Sequence, residues 1–243
     1  KQSSAIEDKR LMRLQILPHF GKIRVQDVTR AMIIKHHQSL SHTPYMANRF
    51  LALFSTMMNL AEKWEYRQLN SNPCIHVDRY KEKSRETFLN MEQLERIGRA
   101  MRQLKDVESK YILAAIKMLM LTGCRTGEIL NLRWEQIDFQ TQKMNLLDTK
   151  TGARSIHLSP ASIDILHSLP SSEGYVFKSS IQNKKLTTIR HVWKKICKLA
   201  EINDVRVHDL RHTYASYAVS KGYSLPVVSK MLGHADIKTT QRY

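Results

Sequence analysis

The chain has 243 residues, 42% hydrophobic and 25% charged, ordinary values for a globular protein with room for one large or two modest domains. Its charge is not ordinary: 39 Lys and Arg stand against 22 Asp and Glu, a net +17. The excess is spread, with 15 basic and 7 acidic residues in 1–85 (net +8) and 24 and 15 in 86–243 (net +9), which favours a polyanion gripped from two sides over a single basic tail.

Cys74, Cys124 and Cys197 are odd in number, far apart and free of any C-x-x-C spacing. That argues against a disulfide framework or a zinc site and suits a reducing cytoplasm. The sequence shows no signal peptide and no apolar run of bilayer-spanning length, so no membrane role is expected.

In chain order, residues 5–21 start as a charged amphipathic stretch, with Ile6, Leu11, Leu14 and Leu17 near helical spacing and an end near Pro18 and Gly21. Asp27-Val28-Thr29 reads as a cap before a helix through Ile33, Ile34 and His37. Ser41 to Pro44 is a loop whose proline suits the first turn of a helix from Tyr45 to Trp64. Phe50, Leu53, Phe54, Met57, Met58 and Ala61 form its apolar stripe, read as the core of a small helical bundle. Asn70-Ser71-Asn72-Pro73 stops the element that follows. Residues 78–87 are rich in charge and read as an exposed linker, leaving domains at 1–77 and 88–243.

Beyond the linker, helices are expected at Met91–Met101 and Lys110–Leu121, the second buried. After Leu132 the period shortens, and Ile137–Phe139, Lys143–Leu147 and Arg154–Leu158 read as short strands. Lys150 falls in the Thr149-Lys150-Thr151-Gly152 turn between the last two. Helices return at Pro160–Ser168, Thr187–Ala200, Asp209–Ser220 and Leu225–Leu232, with Gly222 and Gly233 as stops. The fold class is mainly α with a small antiparallel β-sheet.

Two stretches carry chemistry. Thr122-Gly123-Cys124-Arg125-Thr126-Gly127-Glu128 sets an arginine in a glycine-bracketed turn before a helix. His208-Asp209-Leu210-Arg211-His212 starts another, where an imidazole and a guanidinium three residues apart share a face. A cation there suits an anion such as phosphate, and the unpaired N–H groups of the first turn point the same way. His208 and His212 at i, i+4 with Asp209 could hold a divalent ion, but H-E-x-x-H is absent and Arg211 would repel it. No metal is therefore expected, and His212 reads as a packing or hydrogen-bonding neighbour.

Together these residues resemble the tyrosine recombinases, the phage-integrase-type strand-exchange enzymes, whose set of Arg, Lys, His-x-x-Arg, His or Trp, and Tyr corresponds in order to Arg125, Lys150, His208, Arg211, His234 and Tyr243. The spacings fit: 23 residues from Arg211 to His234 and nine from there to Tyr243. The resemblance implies a helical core-binding (SAM-like) domain joined to an α+β catalytic domain, the two closing on duplex DNA. It implies cleavage and rejoining of DNA through a 3′-phosphotyrosine at Tyr243, without a cofactor. Arg125 and Arg211 would hold the phosphate, Lys150 would protonate the leaving 5′-oxygen, His208 would exchange a proton with the phenol, and His234 would donate to a phosphate oxygen. Glu128 matches an acidic position of the family, either orienting the site or serving as a first-turn helix carboxylate.

The family's members act as tetramers on paired DNA sites, some with accessory DNA-bending or directionality proteins, in the cytoplasm at the nucleoid. They continue past the nucleophile, so a further C-terminal tail is expected, and many carry an additional N-terminal arm-binding domain. A type IB topoisomerase shares the chemistry, and a DNA-binding module without activity is the non-enzymatic alternative. The short His208-to-Tyr243 spacing and the small helical first domain favour the recombinase over the former. The intact six-residue set argues against the latter.

Overall fold

The chain divides into two units, Lys1–Ser84 and Arg85–Tyr243, in a computed structural model that describes residues 2–82, 87–147, 152–170, 172–179, 184–233, 236, 239–241 and 243.

The first unit is helical. Helix α1 (Gln2–Leu11) passes through a π turn (Met12–Ile16) into α2 (Leu17–Phe20). The expected single run over 5–21 is thus present with a widened middle. Pro18 has no N–H to donate and its ring crowds the preceding turn, while Leu17 N–H reaches back five residues to Met12 O. A 3₁₀ turn (Val25–Asp27) leads to α3 (Arg30–Ser39), capped by Thr29, whose Oγ1 accepts from Met32 N at 3.4 Å. Pro44 then starts α4 (Pro44–Lys63).

The stripe read from α4 forms the core of this unit: Phe50, Phe54 and Met58 are buried with Leu11, Ile16, Phe20 and Ile33, and Ala61 is buried as well. The rings of Phe20, Phe50 and Phe54 lie 4.7–6.0 Å apart in offset and tilted pairs, the geometry aromatic quadrupoles favour. Residues 80–82, within the segment read as a linker, are held by α4. Asn48 accepts from Tyr80 N at 2.9 Å and donates to Tyr80 O and Glu82 Oε1, each at 2.8 Å. The Tyr80 ring stacks on His37 at 4.5 Å.

In the second unit α5 (Met91–Gln103) begins at a reciprocal cap, Asn90 Oδ1 accepting from Gln93 N and Gln93 Oε1 from Asn90 N. Helix α6 (Lys110–Thr122) is buried through most of its length, including Ile112, Leu113, Ile116, Met118 and Leu119. Burying each such large apolar side chain contributes roughly 1.5–3 kcal/mol against leaving it in water. Gly123 stops α6 with φ +63°, and a Cβ there would also overlap the Tyr214 ring. Helix α7 (Thr126–Leu130) follows at once.

A 3₁₀ turn (Trp134–Gln136) enters the sheet, β1 (Ile137–Asp138), β2 (Lys143–Leu146) and β3 (Arg154–His157), antiparallel and in that order. The register sets Met144 opposite Ile156 and Leu146 opposite Arg154. Met144, Leu146 and Ile156 are buried, so Arg154 stands on the core face of its strand. Among the described residues, four helices follow: α8 (Pro160–His167), α9 (Arg190–Leu199), α10 (Asp209–Ser220) and α11 (Leu225–Leu232). Helix α9 starts three residues later than its apolar pattern suggests, because Thr188 Oγ1 takes the N–H of Arg190. Helix α10 packs on both α6 and α11 and so joins the two arginine stretches.

Candidate active site

Arg125 occupies the cap position of α7, where the backbone has just turned out of Gly123. Glu128, one turn on, accepts from the Arg125 backbone N–H at 2.8 Å and from its guanidinium Nη1 at 2.9 Å. Glu128 thus lies in the first turn of α7 and pairs with the arginine at its start. Glu128 also accepts from Arg154 Nη2 at 2.8 Å, and its carboxylate is nearly inaccessible to solvent.

The end of α11 receives three arginines from three different elements. Met231 O accepts from Arg154 Nη1 at 3.3 Å, Leu232 O from Arg211 Nη2 at 2.7 Å, and Gly233 O from Arg125 Nη2 at 3.2 Å. A helix leaves its last carbonyls without intrahelical partners and slightly negative, and guanidiniums satisfy both demands. Arg211 also donates to Gly123 O, the end of α6, at 2.9 Å. Gly233 has φ +65°, and a Cβ there would overlap the Arg154 guanidinium, so glycine is needed at this point of approach.

Three guanidiniums against one carboxylate leave a surplus of positive charge. Arg211 is the deepest: burial pulls its pKa down to about 10, with Arg125 and Arg154 adding to the shift and Glu128 opposing it. It remains a cation at neutral pH. The bonds to Glu128 and Gly233 use two of the five N–H groups of Arg125, the most exposed of the three arginines. Beside Arg125 the surface opens into a cleft of 730 Å³ that includes Glu128, Arg133, Leu146 and Tyr175. Preorganised cations at the edge of a cleft are what a phosphoryl group gaining negative charge requires.

The second cluster lies on α10. His208, at the cap of that helix, is exposed, whereas Arg211 and His212 are buried. The rings of His208 and His212 meet edge to face, 5.1 Å between centroids. Tyr243 brings its hydroxyl to 2.5 Å from His212 Nδ1, and its ring packs beside Ala215, Ala218, Val228 and Leu232. The Asp209 carboxylate is turned back towards the preceding turn, accepting from Arg206 N at 2.8 Å.

Of the six residues singled out in sequence, Arg125 and Arg211 converge on the end of α11, and His208 and Tyr243 each meet His212. Lys150 and His234 lie outside the described residues. Sequence reading missed Arg154. The available signal was its parity: it shares a strand face with the apolar Ile156 and Leu158, where a cation demands a partner. His212 was read only as a neighbour. The three cysteines are buried thiols, Cys124 pushed up to about 11 chiefly by burial. Among the described residues no cluster of three His, Cys, Asp or Glu side chains is placed to hold a metal ion, and no helix is long and apolar enough to cross a membrane.

An arginine cluster at the edge of a cleft, with a phenol packed against the adjoining helix, on this α+β framework, corresponds to a known class. Residues 87–243 match the model of the phage integrase family, and the chain belongs to that family. Similar curated proteins include the prophage integrase IntF of Escherichia coli K12, 31% identical over 154 residues that cover 60% of this chain and 32% of that protein. The shufflon-specific DNA recombinase of Escherichia coli is 32% identical over 199 residues, 79% of this chain and 49% of that one. The chain thus spans about a third to a half of the length of these relatives. Among solved structures, a lambda integrase dimer bound to a COC′ core site superposes with a TM-score of 0.82 at 17% identity, covering 98% of this chain and 90% of that chain. The Tn1549 transposon integrase with transposon right end DNA gives 0.81 at 16% identity, covering 100% and 89%. At those identities the likeness is one of fold.

Proposed function

We propose that this chain cleaves and rejoins duplex DNA at specific sites through a 3′-phosphotyrosine intermediate. The observation that carries the reading is the convergence of Arg125, Arg154 and Arg211 on the end of α11, with Glu128 pairing the first two, beside α10, where His212, the residue after Arg211, meets Tyr243. In this reading the Tyr243 oxygen attacks phosphorus and the 5′-oxygen leaves. The two arginines hold the non-bridging oxygens as charge builds on them. Lys150 protonates the leaving oxygen, His208 exchanges a proton with the phenol, and His234 donates to the phosphate. Glu128 supports the site by fixing Arg125. Rejoining reverses the step with a different 5′-hydroxyl, so one phosphoester replaces another and no cofactor is consumed.

In this reading residues 1–77 serve as the helical core-binding domain, 78–87 as a linker and 88–243 as the catalytic domain. Four copies assemble on paired sites at the nucleoid, with accessory DNA-bending or directionality proteins among the partners. Lambda integrase, a chain of the same fold, forms a tetramer bound to a Holliday junction, which supports this assembly.

Nicked suicide duplexes, drawn from a randomised pool by their binding to the chain, test the proposal. The expected result is a covalent adduct on one sequence class that is resistant to denaturant and absent with Tyr243→Phe. Adduct without sequence preference would indicate a topoisomerase, tight binding without adduct an inactive module, and adduct from Tyr243→Phe a different nucleophile.

A further inference from the structure

We infer that His212 is a further catalytic residue, the group whose Nδ1 takes the proton of the Tyr243 hydroxyl as that oxygen attacks phosphorus. The inference rests on the reading of Tyr243 as the nucleophile. It changes the route of the phenol's proton, which passes first to His212 and not directly to His208.

The geometry carries it. An ordinary phenol is almost wholly protonated at neutral pH, so the attacking oxygen needs a base within hydrogen-bond reach. His212 Nδ1 is 2.5 Å from Tyr243 Oη. The two ring centroids are 5.6 Å apart at 44°, so the imidazole meets the phenol through its polar edge and not by stacking. His212 is buried on α10 and braced by the perpendicular ring of His208, which limits it to few orientations. The phenol is held from its other side by the small apolar cluster between α10 and α11. With the hydrogen of the imidazole on Nε2, Nδ1 is the acceptor and the phenol the donor.

The step balances as follows. Oη bonds to phosphorus while its proton passes to Nδ1, leaving an imidazolium. The bond from phosphorus to the 5′-oxygen breaks with its electron pair on that oxygen, which is protonated by Lys150. In rejoining, each proton returns along the same path.

Two measurements test it. In the DNA-free chain, nitrogen-15 spectra of the His212 ring should show Nδ1 unprotonated and should move on Tyr243→Phe; an Nδ1 that carries its own hydrogen, or a ring that ignores the substitution, overturns the contact. On the nicked duplexes, His212→Ala should slow adduct formation by roughly 10²–10⁴-fold, the usual range for a general base, and added imidazole should restore part of the rate. A duplex with sulfur in place of the 5′-bridging oxygen, whose leaving group needs no proton, should not rescue the variant. Full rescue by sulfur would put His212 on the leaving side, and an unchanged rate would remove it from the reaction. The spectral test leaves His212 in place and so stands even where His212→Ala misfolds. Adduct persisting in Tyr243→Phe would instead remove the nucleophile assignment.

Discussion

Both units bury polar side chains, and they do so to opposite ends. In the first, His36 and His37 lie inside among Phe20, Phe50 and Tyr80, with their Nε2 atoms unpartnered. Burial holds both below the usual imidazole range, His36 at about 4, with His19 and His37 adding to its shift. They are kept neutral and serve as packing. In the second, Arg211 is as deeply buried yet stays charged, because Glu128 and helix-end carbonyls surround it. Burial of a polar group therefore does not mark a site; what marks one is a surplus of charge held by fixed dipoles, with donors to spare.

Predictions can break or sharpen that contrast, beginning with the largest. Arg211→Lys keeps a charge but loses the forked donors, and adduct formation should fall by about 10²–10³-fold, read by denaturing gel against wild-type DNA binding. Glu128→Ala strands the guanidiniums it neutralises and should destabilise the second unit by about 3–5 kcal/mol in urea unfolding. An equal loss from a conservative Glu128→Gln would show that charge, not shape, holds the arginines.

In the first unit the effect is of pH. His36 binds its proton near 4 in the fold and 6.5 when unfolded, so the unfolded chain holds more protons between those values. Stability should be complete above about 6.5 and decline by about 1–3 kcal/mol as pH falls towards 4. Thermal unfolding across that window checks this, and His36→Leu should flatten the slope. The smallest is a cap: Thr29→Ala should cost about 1 kcal/mol at the start of α3, measurable by the same unfolding curves.

Much of the frame was legible because it rests on local signals. Pro44, the cap at Thr29 and the four-residue spacing of Phe50, Phe54 and Met58 define their helices without help from elsewhere. Gly123 announces the end of α6 for the same reason. The widened turn at 12–16 was not legible, since nothing around Met12 marks it and its cause is Pro18, several residues on. At the site, Arg125 and Arg211 were found by order and spacing, whereas Arg154 required knowing the strand's register and the partner it meets across 26 residues. The contact of His212 with Tyr243 spans 31 residues and depends on how α10, α11 and the C-terminal stretch fold together. Side chains that act through long-range partners leave little trace in a local pattern.

The carbonyls of Met231, Leu232 and Gly233 have one further consequence, for how this part of the chain can change over time. Removing a single residue from within α11 would rotate its end by about 100° and draw it back about 1.5 Å, presenting each arginine with the wrong oxygen. Substitutions along the outer side of that helix leave the pairing untouched, while an insertion or deletion scrambles all three bonds at once. Helix α11 thus behaves as a ruler of fixed length, with two arginines brought from earlier in the sequence and one from the neighbouring helix set against its final marks.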